Sequence, residues 1–238
     1  METNIIKVEE HFWIIKEGGV RCFLFEGANQ AMLIDTGFGT TSMKAIVESL
    51  TDKPISVVNT HADMDHVGCN KEFTEIYMHP SEMDYYKQHL PEGCSMDSVY
   101  PLWEDDIINL GNWEFRVILA PGHTPGSIML LEPNRRMLFS GDSIQSGDIY
   151  MFGAGRNMPA FIYSLEKLNA LSRHFDTIWP SHDLCPVPPT VIPDLLQGAK
   201  DLAEGKLVGQ EIPDAQPWME NCKLYRCSAA GFLFNENE

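Results

Sequence analysis

The run Thr60-His61-Ala62-Asp63-Met64-Asp65-His66-Val67-Gly68 constrains this chain more than any other stretch. Four side chains able to bind a metal ion fall within six positions, directly after an apolar segment, Ile55 to Asn59, that reads as a strand. Neutral imidazole and carboxylate are donors that divalent ions accept, and a short loop leaving a rigid strand can turn them to one point at small ordering cost. Two such residues alone would suit an acidic, solvated turn with a capping aspartate; four together are hard to explain that way. Three more polar residues follow apolar runs in matching settings: His123 in Ala120-Pro121-Gly122-His123-Thr124-Pro125-Gly126, Asp142 in Phe139-Ser140-Gly141-Asp142-Ser143, and His182 in Trp179-Pro180-Ser181-His182-Asp183. Seven candidates suffice for two metal ions of about four or five ligands each, with Asp142 bridging.

The surrounding pattern is strand-rich with single helices interleaved. Alternating or apolar runs predict strands at Ile5 to Val8, Phe12 to Ile15, Arg21 to Glu26 and Ala31 to Asp35, separated by turn formers such as Gly18-Gly19 and Gly27-Ala28-Asn29. Met43, Ile46, Val47 and Leu50 then form a helical stripe, with Thr40 or Thr41 as the expected N-cap. Further on, helices are expected near Ser81 to His89, Phe161 to Leu171 and Asp194 to Glu204. Strands are expected at Ile107 to Leu110, Glu114 to Leu119, Ser127 to Leu131, Met137 to Ser140 and Thr177 to Trp179. This order fits two packed sheets with helices outside, in one domain spanning residues 1–238.

Composition narrows the partners. The chain has 238 residues, 44% of them hydrophobic and 21% charged, the profile of an ordinary globule. Seventeen Lys and Arg against 34 Asp and Glu leave a formal charge of −17, the wrong sign for tracking nucleic acid or anionic lipid. No apolar stretch approaches the roughly 20 residues of a membrane span, and the Met1 to Val8 start lacks a signal-peptide layout, so a cytoplasmic location is expected. Six irregularly spaced cysteines read as reduced thiols. Neither GxGxxG nor GxxxxGK[ST] is present to hold a dinucleotide or nucleotide.

These segments resemble the metallo-β-lactamase superfamily of binuclear metallohydrolases, over roughly Ile5 to Ala203 and including Asp35-Thr36-Gly37 before the first helix. The THxHxDHxG motif of that superfamily aligns onto Thr60 to Gly68, and its later His, Asp and His onto His123, Asp142 and His182. The resemblance implies an αββα four-layer sandwich of the α/β class with the site at one edge of the two sheets. It also implies a first metal held by His61, residue 63 and His123, a second held by Asp65, His66 and His182, and Asp142 between them. One position departs: Asp63 stands where the pattern has its second His. With a bridging hydroxide, the usual site keeps a net charge of about +1, whereas the added carboxylate brings it to about zero by formal counting. Carboxylate for imidazole also moves preference from zinc toward harder ions such as manganese or iron(II), although zinc binds carboxylate oxygen too.

The expected chemistry is hydrolysis of an ester-, thioester-, lactone- or amide-like bond in a small molecule, by a hydroxide bridging two divalent ions, with Asp65 orienting the nucleophile. Substrate contacts are expected from Met151-Phe152-Gly153-Ala154-Gly155-Arg156, Phe152 offering an apolar surface and Arg156 a partner for carboxylate or phosphate, although an ordinary glycine-rich loop would read the same. Residues 92–106 form either a lid over the cleft or a segment packed on the sandwich flank. Cys222 and Cys227 suit a terminal strand or hairpin with two buried thiols better than a zinc site. The rival chemistry is redox: flavodiiron oxygen or nitric-oxide reductases also carry a carboxylate at the position of Asp63, but use Glu and a flavodoxin-like domain for which this chain has no room.

Overall fold

The computed structural model describes residues 3–213 and 215–235. Its central strands are short and apolar on both faces because both faces are covered, whereas edge strands such as Thr3–Glu9 and Ile107–Asn109 are largely exposed. In β3 (Val20–Glu26), Phe23 and Phe25 turn toward the second sheet, while Cys22 and Leu24 turn outward under the helices. Two-sided burial removes the apolar-polar alternation of a half-exposed strand and leaves continuous apolar runs.

The first sheet follows chain order from β1 (Thr3–Glu9) and β2 (Phe12–Glu17) through β3, β4 (Ala31–Ile34), β5 (Ile55–Val58) and β6 (Ile76–Met78) to β7 (Val99–Pro101). Its pairings are antiparallel as far as β4 and parallel beyond it. The second sheet has the order β13-β11-β10-β9-β8, built from β8 (Ile107–Asn109), β9 (Glu114–Leu119), β10 (Ile128–Glu132), β11 (Met137–Gly141) and β13 (Thr177–Pro180), with β11 and β13 parallel. Outside the first sheet lie α1 (Met43–Glu48), the one-turn α2 (Met64–Val67) and α3 (Pro80–Gln88), which bury Met43, Val47, Val67 and Tyr86 against Leu24, Leu33 and Val57. Outside the second, α4 (Met158–Leu171) and α5 (Val191–Ala203) bury Phe161, Leu165, Leu168, Ile192 and Leu195 against Met129, Leu131 and Ile178. The result is the α/β sandwich with helices on both flanks that the residue pattern suggested. No helix among the described residues is long and apolar enough to cross a membrane.

Several local expectations change. The first helix is capped by Ser42, whose Oγ accepts from the Ala45 amide at 3.2 Å, not by Thr40 or Thr41, which are bonded to Glu17 instead. The last helix begins at Val191, a turn before Asp194. Within residues 92–106, β7 extends the first sheet and Leu102 is buried between the sheets, so this segment completes the flank rather than forming a lid. The tail adds β14 (Lys223–Arg226) and β15 (Gly231–Phe234), an antiparallel hairpin that pairs in parallel with β12 (Asp148–Tyr150) in a small third sheet. Cys222 is buried and Cys227 half-buried, at the two ends of β14.

Between the sheets the core is aromatic. Phe139 is fully buried, with ring centroids 5.1 Å from Phe23, 5.1 Å from Phe25 and 6.0 Å from Trp179. It sits on β11, three residues before Asp142, so packing of this ring fixes the strand that delivers a candidate ligand. Phe139→Ala should therefore lower unfolding free energy by about 3–5 kcal/mol, read as a shift in the urea midpoint.

Candidate metal centre

All seven candidate ligands lie beyond the C-terminal ends of strands that meet at one edge of the sandwich: β5 leads to His61, Asp63, Asp65 and His66, β9 to His123, β11 to Asp142 and β13 to His182. The first loop tightens at once into α2, for which Asp63 is the N-cap residue by position while its side chain makes no capping bond. That frees its carboxylate to point elsewhere. Gly68 ends this turn against the Phe38 carbonyl, where an added Cβ would lie 2.3 Å from the Phe38 carbonyl carbon, so the loop closes only with glycine there.

The imidazoles share one design. His66 Nδ1 donates to Asp35 Oδ2 at 2.8 Å, His123 Nδ1 to the Tyr150 carbonyl at 2.9 Å and His182 Nδ1 to the Gly19 carbonyl at 3.0 Å. Thr60 Oγ1 spends its proton on Asp35 Oδ2 and so accepts from His61 Nδ1 at 3.0 Å. Each ring thus carries its proton on the outer nitrogen and turns the Nε2 lone pair inward, the tautomer a metal requires. The Nε2 atoms of His61, His66 and His123 and Oδ1 of Asp142 are buried with no hydrogen-bond partner. Leaving such groups unsatisfied is costly. Four orphaned donor atoms converging on one space fit divalent cations.

The donors divide into two groups, His61–His123–Asp142 and Asp65–His66–His182, each with ligand atoms within 4.8 Å of one another. Asp142 faces both: its Oδ2 lies 3.9 Å from His61 Nε2 and from His123 Nε2, and 3.4 Å from His182 Nε2, while Oδ1 lies 3.3 Å from His66 Nε2. Asp63 Oδ2 stands 3.5 Å from His61 Nε2 and 3.2 Å from His123 Nε2.

The electrostatics point the same way. Burial alone would strip the proton from His66, yet Asp142, Asp65 and Asp35 hold its pKa well above the ordinary range. His182 likewise overcomes burial and, facing Asp142 and Asp65, is pushed up to about 10. Burial would raise Asp142, but His182 and His66 bring its pKa well below the usual value. This centre concentrates negative charge that draws cations, protons when no metal competes.

The structure brings Asp63 into this cluster together with a partner expected elsewhere. Arg156, anticipated as a substrate contact, turns inward with a side chain only 10% exposed: Nη2 donates to Asp63 Oδ2 and Nη1 to the Tyr85 hydroxyl at 2.8 Å. Both terminal nitrogens of the guanidinium are thus bonded within the protein. Phe152 joins Tyr150, whose carbonyl holds His123, and Trp218 in a ring group with centroids 5.8 to 6.0 Å apart. Tyr85, Trp218 and the buried Glu82, which accepts from the Ala62 and Gly126 amides and so ties two ligand loops to α3, carried no signal in sequence. Each acts through contacts between distant segments.

A sequence profile described as "Metallo-beta-lactamase superfamily" matches residues 15–193. The chain belongs to this superfamily. An uncharacterized protein of Aquifex aeolicus is 32% identical over 138 residues, covering 52% of this chain and 64% of that protein. A Bos taurus acyl-coenzyme A thioesterase is 27% identical over 208 residues, covering 69% of this chain and 72% of the enzyme. Among solved structures, a metallo-beta-lactamase from Pontibacter korlensis shares the fold with a TM-score of 0.70 at 16% identity, over 84% of this chain and all of that one. TTHA1623 in a di-iron-bound form matches at 0.59 and 25% identity, over 72% of this chain and 90% of its own. This member of the metallo-beta-lactamase superfamily is a hydrolase.

Within this superfamily member the loop after β4 is organised by Glu17, a buried carboxylate on β2. Its oxygens accept from the amides of Phe38 at 2.7 Å, Thr40 at 2.8 Å and Thr41 at 3.1 Å, and from the Thr40 hydroxyl. Burial acts to raise its pKa, but the Thr40 hydroxyl and these amides together bring it below the ordinary 4.5. A depressed carboxylate contributes stability that is present above its unfolded pKa and lost as pH falls through the lower folded one. Glu17→Gln should accordingly cost about 1–3 kcal/mol at neutral pH. The gap from wild type should narrow below pH 4.5, as read by urea unfolding at both conditions.

Proposed function

We propose that this chain is a binuclear metal-dependent hydrolase that cleaves the acyl C–S or C–O bond of a thioester or ester with an apolar acyl portion, releasing the acid and the thiol or alcohol. The observation that carries the reading is the set of buried, unpartnered Nε2 atoms of His61, His66 and His123 facing Asp142. In this reading His61, Asp63 and His123 hold the first ion, Asp65, His66 and His182 the second, and Asp142 lies between them. When bound, two divalent ions supply a lowered pKa for a shared water and polarisation of a carbonyl oxygen.

The chain's own residues do the rest. Asp35, Thr60, the Tyr150 carbonyl and the Gly19 carbonyl lock the four rings, so no imidazole must reorient during turnover. Asp65, whose Oδ2 is 3.1 Å from His182 Nε2, orients the attacking water and accepts its proton.

An apolar substrate portion is supported by the rim. Phe152, Tyr150 and Trp218 stand at one side, Trp218 at 59% exposure, and Met64 and Leu184 are exposed within the ligand-bearing loops. Among the described residues bonded to the candidate ligands, Arg156 is the only basic side chain besides the histidines, and it is already paired. That favours an uncharged group next to the metals. The thioesterase activity in the name of the bovine relative supports the carbonyl class. The carboxylate at Asp63, with the di-iron form of TTHA1623, supports manganese or iron(II) ahead of zinc.

Metal-free protein reconstituted separately with iron(II), manganese and zinc should hydrolyse short acyl thioesters and aryl esters in more than one metal form, without consuming oxygen. Oxygen uptake confined to the iron form, with no hydrolysis in any form, would overturn the proposal. His123→Ala should lower kcat by at least about 100-fold and reduce bound metal in elemental analysis. Trp218→Ala should raise KM for long-chain acyl substrates while leaving kcat for acetyl substrates unchanged.

A further inference from the structure

Asp63 is held from both oxygens by a closed ring of side chains. Arg156 Nη2 donates to Asp63 Oδ2; Arg156 Nη1 donates to the Tyr85 hydroxyl at 2.8 Å, which in turn donates to Asp63 Oδ1 at 2.8 Å. The guanidinium also lies over the Tyr85 ring, 5.7 Å from its centroid. The pair is mostly shielded from solvent, with side-chain exposures of 10% for Arg156 and 18% for Asp63. The backbone is built to bring Arg156 there. Gly155 adopts φ +84°, with the space for a Cβ closed to 3.1 Å by Pro125 and 3.2 Å by Tyr85, and Asn157 then caps α4 through the Ala160 amide at 2.8 Å. A residue fixed by a left-handed glycine on one side and a helix cap on the other has little freedom to swing toward a substrate.

Charge supplies the reason for such an arrangement. A carboxylate at position 63 puts one more negative charge on the first group of donors than a neutral imidazole would, and the buried guanidinium at its back returns that charge to the same net value. Asp63 Oδ2 also faces the His61 and His123 Nε2 atoms, 3.5 and 3.2 Å away, while it accepts from Arg156 and Oδ1 accepts from Tyr85.

We propose that Asp63 and Arg156 form one exchangeable unit, in which Arg156 is the counter-ion and positioning residue of a ligand carboxylate and the two together replace a single neutral histidine. This rests on the reading that Asp63 ligates the first ion. Arg156 then governs how tightly that ion is held and does not contact substrate. A further consequence is that a histidine introduced at position 63 alone would leave a buried guanidinium without its anion, so the substitution that restores the commoner motif succeeds only when Arg156 is removed with it.

The test is a double-mutant cycle read by metal retention after dialysis against a weak chelator, and by the visible bands of the cobalt(II)-substituted proteins. Arg156→Met should weaken the first ion about 10- to 100-fold and leave about one ion per chain. Asp63→His should do the same, and Asp63→His with Arg156→Met should return retention to about two ions, with cobalt bands of a three-nitrogen first site. Arg156→Met protein that keeps both ions as tightly as wild type overturns the proposal, as does a double variant that regains nothing. Asp63→Ala separates the two levels. If it retains both ions, the ligand reading itself fails; if it loses one while Arg156→Met loses none, only the pairing fails.

Discussion

The four candidate imidazole ligands sit at the edge of an aromatic sandwich, and the position of each ring depends on a hydrogen bond made at its outer nitrogen. Imidazoles can converge on one space only if something else holds their outer nitrogens, and in this chain four separate acceptors do so: Asp35, Thr60, the Tyr150 carbonyl and the Gly19 carbonyl. Asp35 alone serves His66 and, through the Thr60 amide and hydroxyl, the ring of His61. It adopts φ +61° directly after β4, so a strand terminus in a sterically unfavourable conformation aims one carboxylate at two ligands. With the outer nitrogens satisfied, the inward atoms have no partner in the protein, and the site is incomplete without cations.

The sandwich makes that geometry possible by bringing strand ends from both sheets to a common edge. Phe12, Phe23, Phe25, Phe115, Phe139 and Trp179 fill the space between the sheets and hold β11 and β13 in the register from which Asp142 and His182 emerge. The second set of ties is polar. Glu82 bridges the loops carrying His61 and His123 by accepting from Ala62 and Gly126, and Arg21 donates to the Pro180 and Asp183 carbonyls that flank His182. Both charged groups are buried and hydrogen-bonded, as such groups must be.

The strands and the larger helices were legible in sequence because burial against the three core layers imposes apolar runs and stripes on them: β9 at Glu114–Leu119 follows the expected span. The very short elements were not. In α2 the chain turns once, too briefly for a helical period, and β6 and β7 have three residues each. For β12 the partner, β15, lies some eighty positions along the chain, a distance no local pattern reports. The seven clustered residues were legible because each follows an apolar run, and donor chemistry is written in residue type. The bonds of Arg156 to Asp63 and Tyr85 are not legible, since a glycine-rich loop with an arginine looks the same whether the side chain faces a substrate or Asp63. Tyr85 and Trp218 gave no sign, because their neighbours in space are remote in sequence.

Anomalous diffraction at the manganese edge, from crystals of protein reconstituted with manganese, tests the central claim most directly. The account predicts two peaks about 3.5–4 Å apart. One should be bounded by His61, Asp63 and His123, the other by Asp65, His66 and His182, with Asp142 touching both and Arg156 still on Asp63. A single peak outside this cluster, or full-occupancy manganese bound without the Nε2 atoms of His61, His66 and His123, would contradict it.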